Sequence, residues 1–477
     1  MRPENFKFGG GVNESVLHPL VLVAMLLGIV LLLTLPRKYA SIPLLCLSFL
    51  VPAGQQVVIG GVHVFVLRFL ILAGLGRFAF SRHRSHGRRF PGGFEVIDKL
   101  FLAWALCRAA AFVLLFRQGA AVVNQVGFLW DSLGAFFLLR LIIEDEKDIE
   151  RIIKTLVVLA TILAGTMTYE HYRGLNVFAI LGGVMPVPEI RNGSYRAQGP
   201  FSHALLAGTF GATLLPLFVL LWSSRSNRKL AILGIMASSI MTVVANCSTP
   251  IMAYGAGIAA ICMWPVRRQM RLIRWGIVLF LVCLQLGMKA PVWYFIAHID
   301  VTGGSSSDQR AQLLNLFFTR VSDWWLIGTD SNAKWGWDMW DTANQFVAEA
   351  FTGGLATLAC FIAMIVVGFK KLGKARKAAA GDRKKEICFW LLGSTLFAHV
   401  VAFFGISYFD QTRIIWYTLL TAICVAVAPA LVKRSERMPA EQCLAYPGTL
   451  MDDSYSTHSP WLDEKSSHLP DLPIRDC

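Results

Sequence analysis

Two stretches of this 477-residue chain combine residue types that handle an anion and a hydroxyl group. The first reads Arg191-Asn192-Gly193-Ser194-Tyr195-Arg196-Ala197-Gln198-Gly199-Pro200-Phe201-Ser202-His203. Gly199-Pro200 turns the chain sharply into an apolar run at 202–222, Ser202 is placed to cap that helix, and Pro216 can kink it. A helix N-terminus beside an arginine attracts anions, so Arg196 is expected to hold a phosphate; the plainer reading is a lipid-headgroup contact. His203, in the first turn, is a candidate general base or a packed polar residue. The second stretch runs from Gly303 through Arg310 into an amphipathic segment at 311–323. Trp324-Trp325-Leu326-Ile327-Gly328-Thr329-Asp330 follows, then Trp335, Trp337 and Trp340, then Asp341-Thr342-Ala343-Asn344-Gln345-Phe346. Tryptophans favour membrane interfaces, and their faces also stack on sugar rings. Several of them beside acidic residues in one loop favour a carbohydrate ligand.

The elements that must position these residues are membrane helices. The chain is 55% hydrophobic and 16% charged, whereas soluble domains carry about a quarter charged residues. Apolar runs near helical spanning length recur throughout. They fall at 16–35, 41–60, 62–80, 98–116, 121–142, 152–168, 202–222, 229–246, 249–265, 274–289, 346–369, 386–404 and 413–432. The 41–60 run, with Pro43, Pro52 and Gln55-Gln56, is expected to be broken or re-entrant. The fold class is therefore an all-α, polytopic integral membrane helix bundle of about 12–13 transmembrane helices. The first run has Glu14 before it and no small-residue cleavage site after it, so it is expected to be a retained helix.

Basic clusters at 37–38, 82–89, 225–229, 267–274, 370–385 and 433–437 all fall on one side of this series. The positive-inside rule makes that side cytoplasmic. It also accounts for the net charge of +15 without nucleic acid. Two long loops, about 169–201 and 290–345, then face outward, and the C-terminus faces the cytoplasm. Three parts follow: N-terminal transmembrane helices over 1–150, a membrane domain with the outer loops over 151–432, and a disordered cytoplasmic tail over 433–477. The tail ends in Cys477 without the order needed for prenylation. Most of the ten cysteines lie in apolar runs and none forms a CxxC, so neither a disulfide framework nor a metal site is expected.

Within the membrane, Arg108 and Asp131 sit near the middles of consecutive spans joined by a short loop. Charges at that depth are costly unless paired, so a structural Arg108–Asp131 ion pair is expected. Arg68 and Arg140 lie nearer span ends and can snorkel.

Taken in order, these pieces resemble the O-antigen ligase/polymerase superfamily of bacterial membrane glycosyltransferases. The matching segments are Arg196 to His203 opening a helix, Arg310 ahead of an amphipathic helix, Leu326-Ile327-Gly328-Thr329, and Asp341 to Phe346 leading to Gly353-Gly354-Leu355. The resemblance covers roughly 120–430 and implies a GT-C-like bundle in the bacterial inner membrane with a long extracytoplasmic loop. It implies transfer of a glycan from an undecaprenyl pyrophosphate carrier to a hydroxyl of a glycan or lipid acceptor, without a nucleotide sugar or other cofactor. Membrane lipids and other polysaccharide-assembly proteins are the implied partners. By the family's pattern Arg196 and Arg310 bind the pyrophosphate, and Asn344 and His203 belong to the substrate site. Many members carry His where this chain has Ala343. The base is then expected from Asp341, with Asp338 and His203 as alternatives. No Asp-x-Asp occurs in the outer loops, so no metal is implied. The competing readings are a transporter or flippase of a lipid-linked glycan or small solute, and a non-catalytic envelope component.

Overall fold

In a computed structural model, residues 16–60, 62–80, 90, 92–289, 291, 293–294, 307–336, 339 and 341–444 are described, with 307 and 432–444 as backbone alone. The basic cluster at 82–89, Gly303 to Ser306, Trp337, Asp338, Trp340 and the tail beyond 444 lie outside the described residues.

The chain is a helix bundle. Its helices are α1 (Pro19–Thr34), α2 (Ser41–Leu50), α3 (Val66–Phe80), α4 (Val96–Phe116), α5 (Gly119–Leu129), α6 (Ala135–Ile142), α7 (Glu146–Arg173), α8 (Ala204–Leu221), α9 (Arg228–Val244), α10 (Ser248–Cys262) and α11 (Met270–Gly287). The rest are α12 (Ser307–Thr319), α13 (Val321–Trp324), α14 (Gln345–Ala378), α15 (Arg383–Phe403) and α16 (Thr412–Leu444). Among the described residues, nine helical segments are long and apolar enough to cross a membrane. Pro19–Thr34 and Ser248–Cys262 are shorter apolar helices. Each expected span other than 41–60 contains a helix, because an apolar run of that length satisfies its backbone polar groups only by coiling.

The 41–60 run is broken, as its prolines predict. Helix α2 stops at Leu50, ahead of Pro52, and the chain forms an antiparallel hairpin of β1 (Gln56–Ile59) and β2 (Val62–Phe65). Trp130–Gly134, between α5 and α6, is a π-helical turn carrying Asp131; such turns recur at functional sites. The chain divides into two units, 1–433 and 434–477. The tail is helical as far as Leu444 rather than disordered from 433.

The second long loop docks onto α14 through two glycines. Gly328 has φ +88, and a Cβ there would stand 2.1 Å from the Phe351 carbonyl oxygen. Gly354 has φ +69, and its Cβ would stand 2.4 Å from the Leu326 oxygen. The closeness permits Thr329 N–H to donate to Phe351 O at 2.8 Å and Leu355 N–H to Trp325 O at 2.8 Å. It also breaks the helical geometry of α14 at Gly354. Gly328→Ala or Gly354→Ala is expected to cost more than about 1 kcal/mol, detected as faster proteolysis within 290–340. Unchanged cleavage would remove the glycine clasp from the account.

The loop has its own small core. Leu313, Leu314 and Phe317 of α12 pack with Trp324, Trp335 and Phe351. Trp324 stacks on Phe317 at 4.3 Å between centroids, and its Nε1–H donates to Phe317 O at 2.9 Å. These two tryptophans thus support the loop and are not free sugar platforms. Trp325 is exposed.

Candidate functional site

The 174–203 segment folds around a buried carboxylate. Glu170, near the end of α7 and 1% exposed, accepts the backbone N–H groups of Gln198 at 3.1 Å and Gly199 at 2.8 Å. Asn176 Nδ2 donates to Gly199 O at 2.7 Å. A short hairpin of β3 (Ile190–Arg191) and β4 (Ser194–Tyr195) precedes this turn. Arg196 N–H donates to Glu189 O at 2.8 Å, and Ala197 N–H to Val244 O at 3.1 Å. The backbone of Arg196 is therefore fixed from both sides.

Its side chain is only 2% exposed. Nη1 donates to Glu189 Oε2 at 2.5 Å and Nη2 to Cys247 Sγ at 2.8 Å. Burial pushes the Cys247 thiol up, with the Arg196 charge working against it. The sulfur is thus a neutral acceptor and no counter-ion. Arg196 Nε is buried without an acceptor among the described residues.

Arg310, on α12, lies within electrostatic range of Arg191, Arg196 and Asp341. Its Nε is likewise buried without a partner, and it makes no hydrogen bond among the described residues. Burial pushes the Arg310 guanidinium below its usual value; the Asp341 carboxylate opposes this, while the charges of Arg191 and Arg196 add to it. Three guanidinium groups and the carboxylates of Glu189 and Asp341 therefore share one electrostatic site. Asp341 is exposed.

His203, rather than Ser202, is the N-cap of α8: its Nδ1 accepts Leu205 N–H at 3.1 Å. That bond leaves the proton on Nε2, which lies 3.9 Å from Glu189 Oε2. Burial, helped by Arg196, holds the imidazole below its usual value. A neutral ring whose basic nitrogen is occupied is a poor base, so the general-base expectation for His203 is corrected. Ser202 Oγ instead donates to Asp410 Oδ2. His203→Asn keeps an N-cap of at least equal quality and is expected to leave the site's activity near that of the parent. A loss of about 100-fold or more, the size of a general-base contribution, would return that role to His203.

Asn344 is also a cap. Its Oδ1 accepts from Phe346 N–H at 2.9 Å and Val347 N–H at 3.2 Å, and its Nδ2 points to Phe404 O at 3.4 Å. With its polar atoms so engaged and 2% of its surface exposed, it positions α14 and is not placed to bind substrate. Ala343 is buried.

The intramembrane pairing is corrected as well. Asp131 accepts from Arg68 Nε and Nη2, both at 2.8 Å. Arg108 pairs with Glu349 at 3.2 Å. Trp104 Nε1 at 2.8 Å and Gln345 Nε2 at 2.6 Å also donate to that carboxylate. Arg140 does not snorkel; it is fully buried against Asp98, with bonds of 2.9 Å to both carboxylate oxygens.

No protein-family model matches this chain, and no curated protein matches it.

Sequence reasoning missed Glu349, Asp98 and Glu170. Each stands within one turn or so of a helix end, where an acidic residue reads as a boundary. Their partners are far away in sequence, so spacing carried no signal for them.

Proposed function

We propose that this chain is a membrane glycosyltransferase of the bacterial inner membrane, acting on undecaprenyl-pyrophosphate-linked glycan units in surface polysaccharide assembly. The observation that carries the reading is the pair of buried Nε–H donors without acceptors, on Arg196 and Arg310, brought to one site by two loops. Buried polar groups without partners are rare and call for a ligand. Two cationic forks sharing a site suit a diphosphate, which they can grip bidentately.

The chemistry follows from the charges. The bond between the anomeric carbon and the phosphate oxygen breaks, and the negative charge developing on pyrophosphate is taken up by the two guanidinium groups. A bond forms from the acceptor oxygen to that carbon. The acceptor's hydroxyl proton passes to the Asp341 carboxylate, which is exposed and within electrostatic range of Arg310. In this reading the site faces outward, the basic segments and the C-terminus face the cytoplasm, and the bundle is GT-C-like.

The transporter reading draws on the buried ion pairs Arg68–Asp131, Arg108–Glu349 and Arg140–Asp98. In each the carboxylate is bonded to its arginine, which favours a structural role, although Arg108 Nε and Arg140 Nη1 are also buried without an acceptor among the described residues. Gene deletion separates the readings. Loss of a polymerase leaves single repeats on the lipid carrier, loss of a ligase leaves long chains there, and normal surface polymer would contradict glycan transfer.

A further inference from the structure

A separate cavity of about 220 Å³ lies between α2, the start of α3, the π-helical turn and the start of α16. Its volume is below the range of drug-sized ligand sites, so it suits a single small ring. It adjoins the turn that follows Arg196: Gln411 Nε2 donates to Pro200 O at 2.9 Å and to Val51 O at 3.2 Å. Those two carbonyls fix the orientation of the amide. Its Oε1 then stands buried with no donor, on a residue 6% exposed.

Arg413 also lines the cavity. Its Nε donates to Tyr408 O at 3.1 Å, and among the described residues no carboxylate pairs with it. The carboxylates in the wall are otherwise engaged, Asp131 by Arg68 and Asp410 by Ser202. Each retains lone pairs, since an ionised carboxylate offers about four acceptor sites. Among the described residues the wall thus offers a cation without a carboxylate partner and several acceptors, together with apolar surface from Leu47, Val51, Phe65 and Ile414.

That set selects a ligand with one anionic group, several hydroxyl donors and an apolar ring face. A bare phosphate answers Arg413 but brings up to two negative charges against two carboxylates, at most two hydroxyls, and no apolar face for the rest of the wall. A neutral hexose answers the acceptors but leaves Arg413 without a counter-charge. We propose that the cavity holds one monocarboxylated sugar ring, its carboxylate on Arg413 and its hydroxyls on Gln411 Oε1, Asp410 and Asp131. The assignment of that ring to the transferred glycan rests on the glycosyltransferase reading.

Equilibrium binding to the purified full-length protein in detergent tests this without requiring transfer. The probes are glucuronate, its methyl glycoside, methyl glucoside and inorganic phosphate. The methyl glucuronoside, which mimics a ring within a glycan, should bind at least about tenfold more tightly than methyl glucoside or phosphate. Arg413→Gln should erase that preference. Val51→Phe, which fills the cavity and leaves its charges in place, should abolish binding and decides the matter if Arg413→Gln does not fold. Equal binding of methyl glucoside and methyl glucuronoside, equally tight phosphate binding, or full binding by Val51→Phe would overturn the proposal. Binding of free glucuronate but not its glycoside would overturn the assignment to the glycan. None of these outcomes bears on Arg196 and Arg310.

Discussion

Replacing Arg310 by alanine is expected to cut glycan transfer by about 100-fold or more while leaving a folded protein in the membrane. Its side chain makes no hydrogen bond among the described residues, so truncation strands no protein acceptor. It also relieves repulsion from Arg191 and Arg196. In the proposed reaction what disappears is a donor to the leaving pyrophosphate, and removal of one such donor costs about 100-fold to 1,000-fold in turnover. Arg196→Ala should lose as much, with some stability besides, because it frees Glu189 and Cys247. Arg310→Lys keeps the charge but loses the fork, and should recover only part of the rate. Full turnover by both alanine variants would end their assignment to phosphate.

The second large effect concerns stability. Glu349→Ala leaves Arg108 buried without its counter-charge and strips an acceptor from Trp104 and Gln345. Breaking such a pair costs about 3–5 kcal/mol, read as a lower unfolding temperature in detergent. Arg108→Leu combined with Glu349→Leu should cost less than Glu349→Ala alone, since no lone charge remains. A double variant as unstable as the single one would contradict the pairing. Asp131→Leu should leave Arg108 unaffected and expose Arg68 instead.

Glu349 also shows where sequence reasoning stopped. Helix positions were legible, because a membrane span must be an uninterrupted apolar coil. Rotation about each helix axis was not. A Cβ at Gly353 would stand 3.0 Å from Arg108 Cα, so the bare glycine backbone lets α14 approach α4 closely. Arg108 therefore meets a residue 241 positions away instead of its hairpin neighbour.

The candidate site was legible in part for a similar reason. Arg196 and Arg310 stood out as arginines at helix entries. Their convergence depends on how the loops dock, which Gly328 and Gly354 decide by allowing backbone contacts that side chains would block. Caps misled in the other direction. His203 and Asn344 look chemical in sequence, yet both spend their side-chain acceptors on helix N–H groups. Ser202 was the better cap by residue type, but the helix starts one residue later and Ser202 turns to Asp410. Glu170 has no sequence signature at all, although the turn that presents Arg196 is wrapped around it.

The most direct test is transfer by the purified protein in proteoliposomes. The donor is an undecaprenyl-pyrophosphate-linked repeat unit and the acceptor a second unit or a lipid-anchored glycan. The account predicts release of undecaprenyl pyrophosphate with one new glycosidic bond per carrier released, and loss of both in Arg310→Ala. Carrier that stays loaded with the parent protein, or equal release by Arg310→Ala, would contradict it.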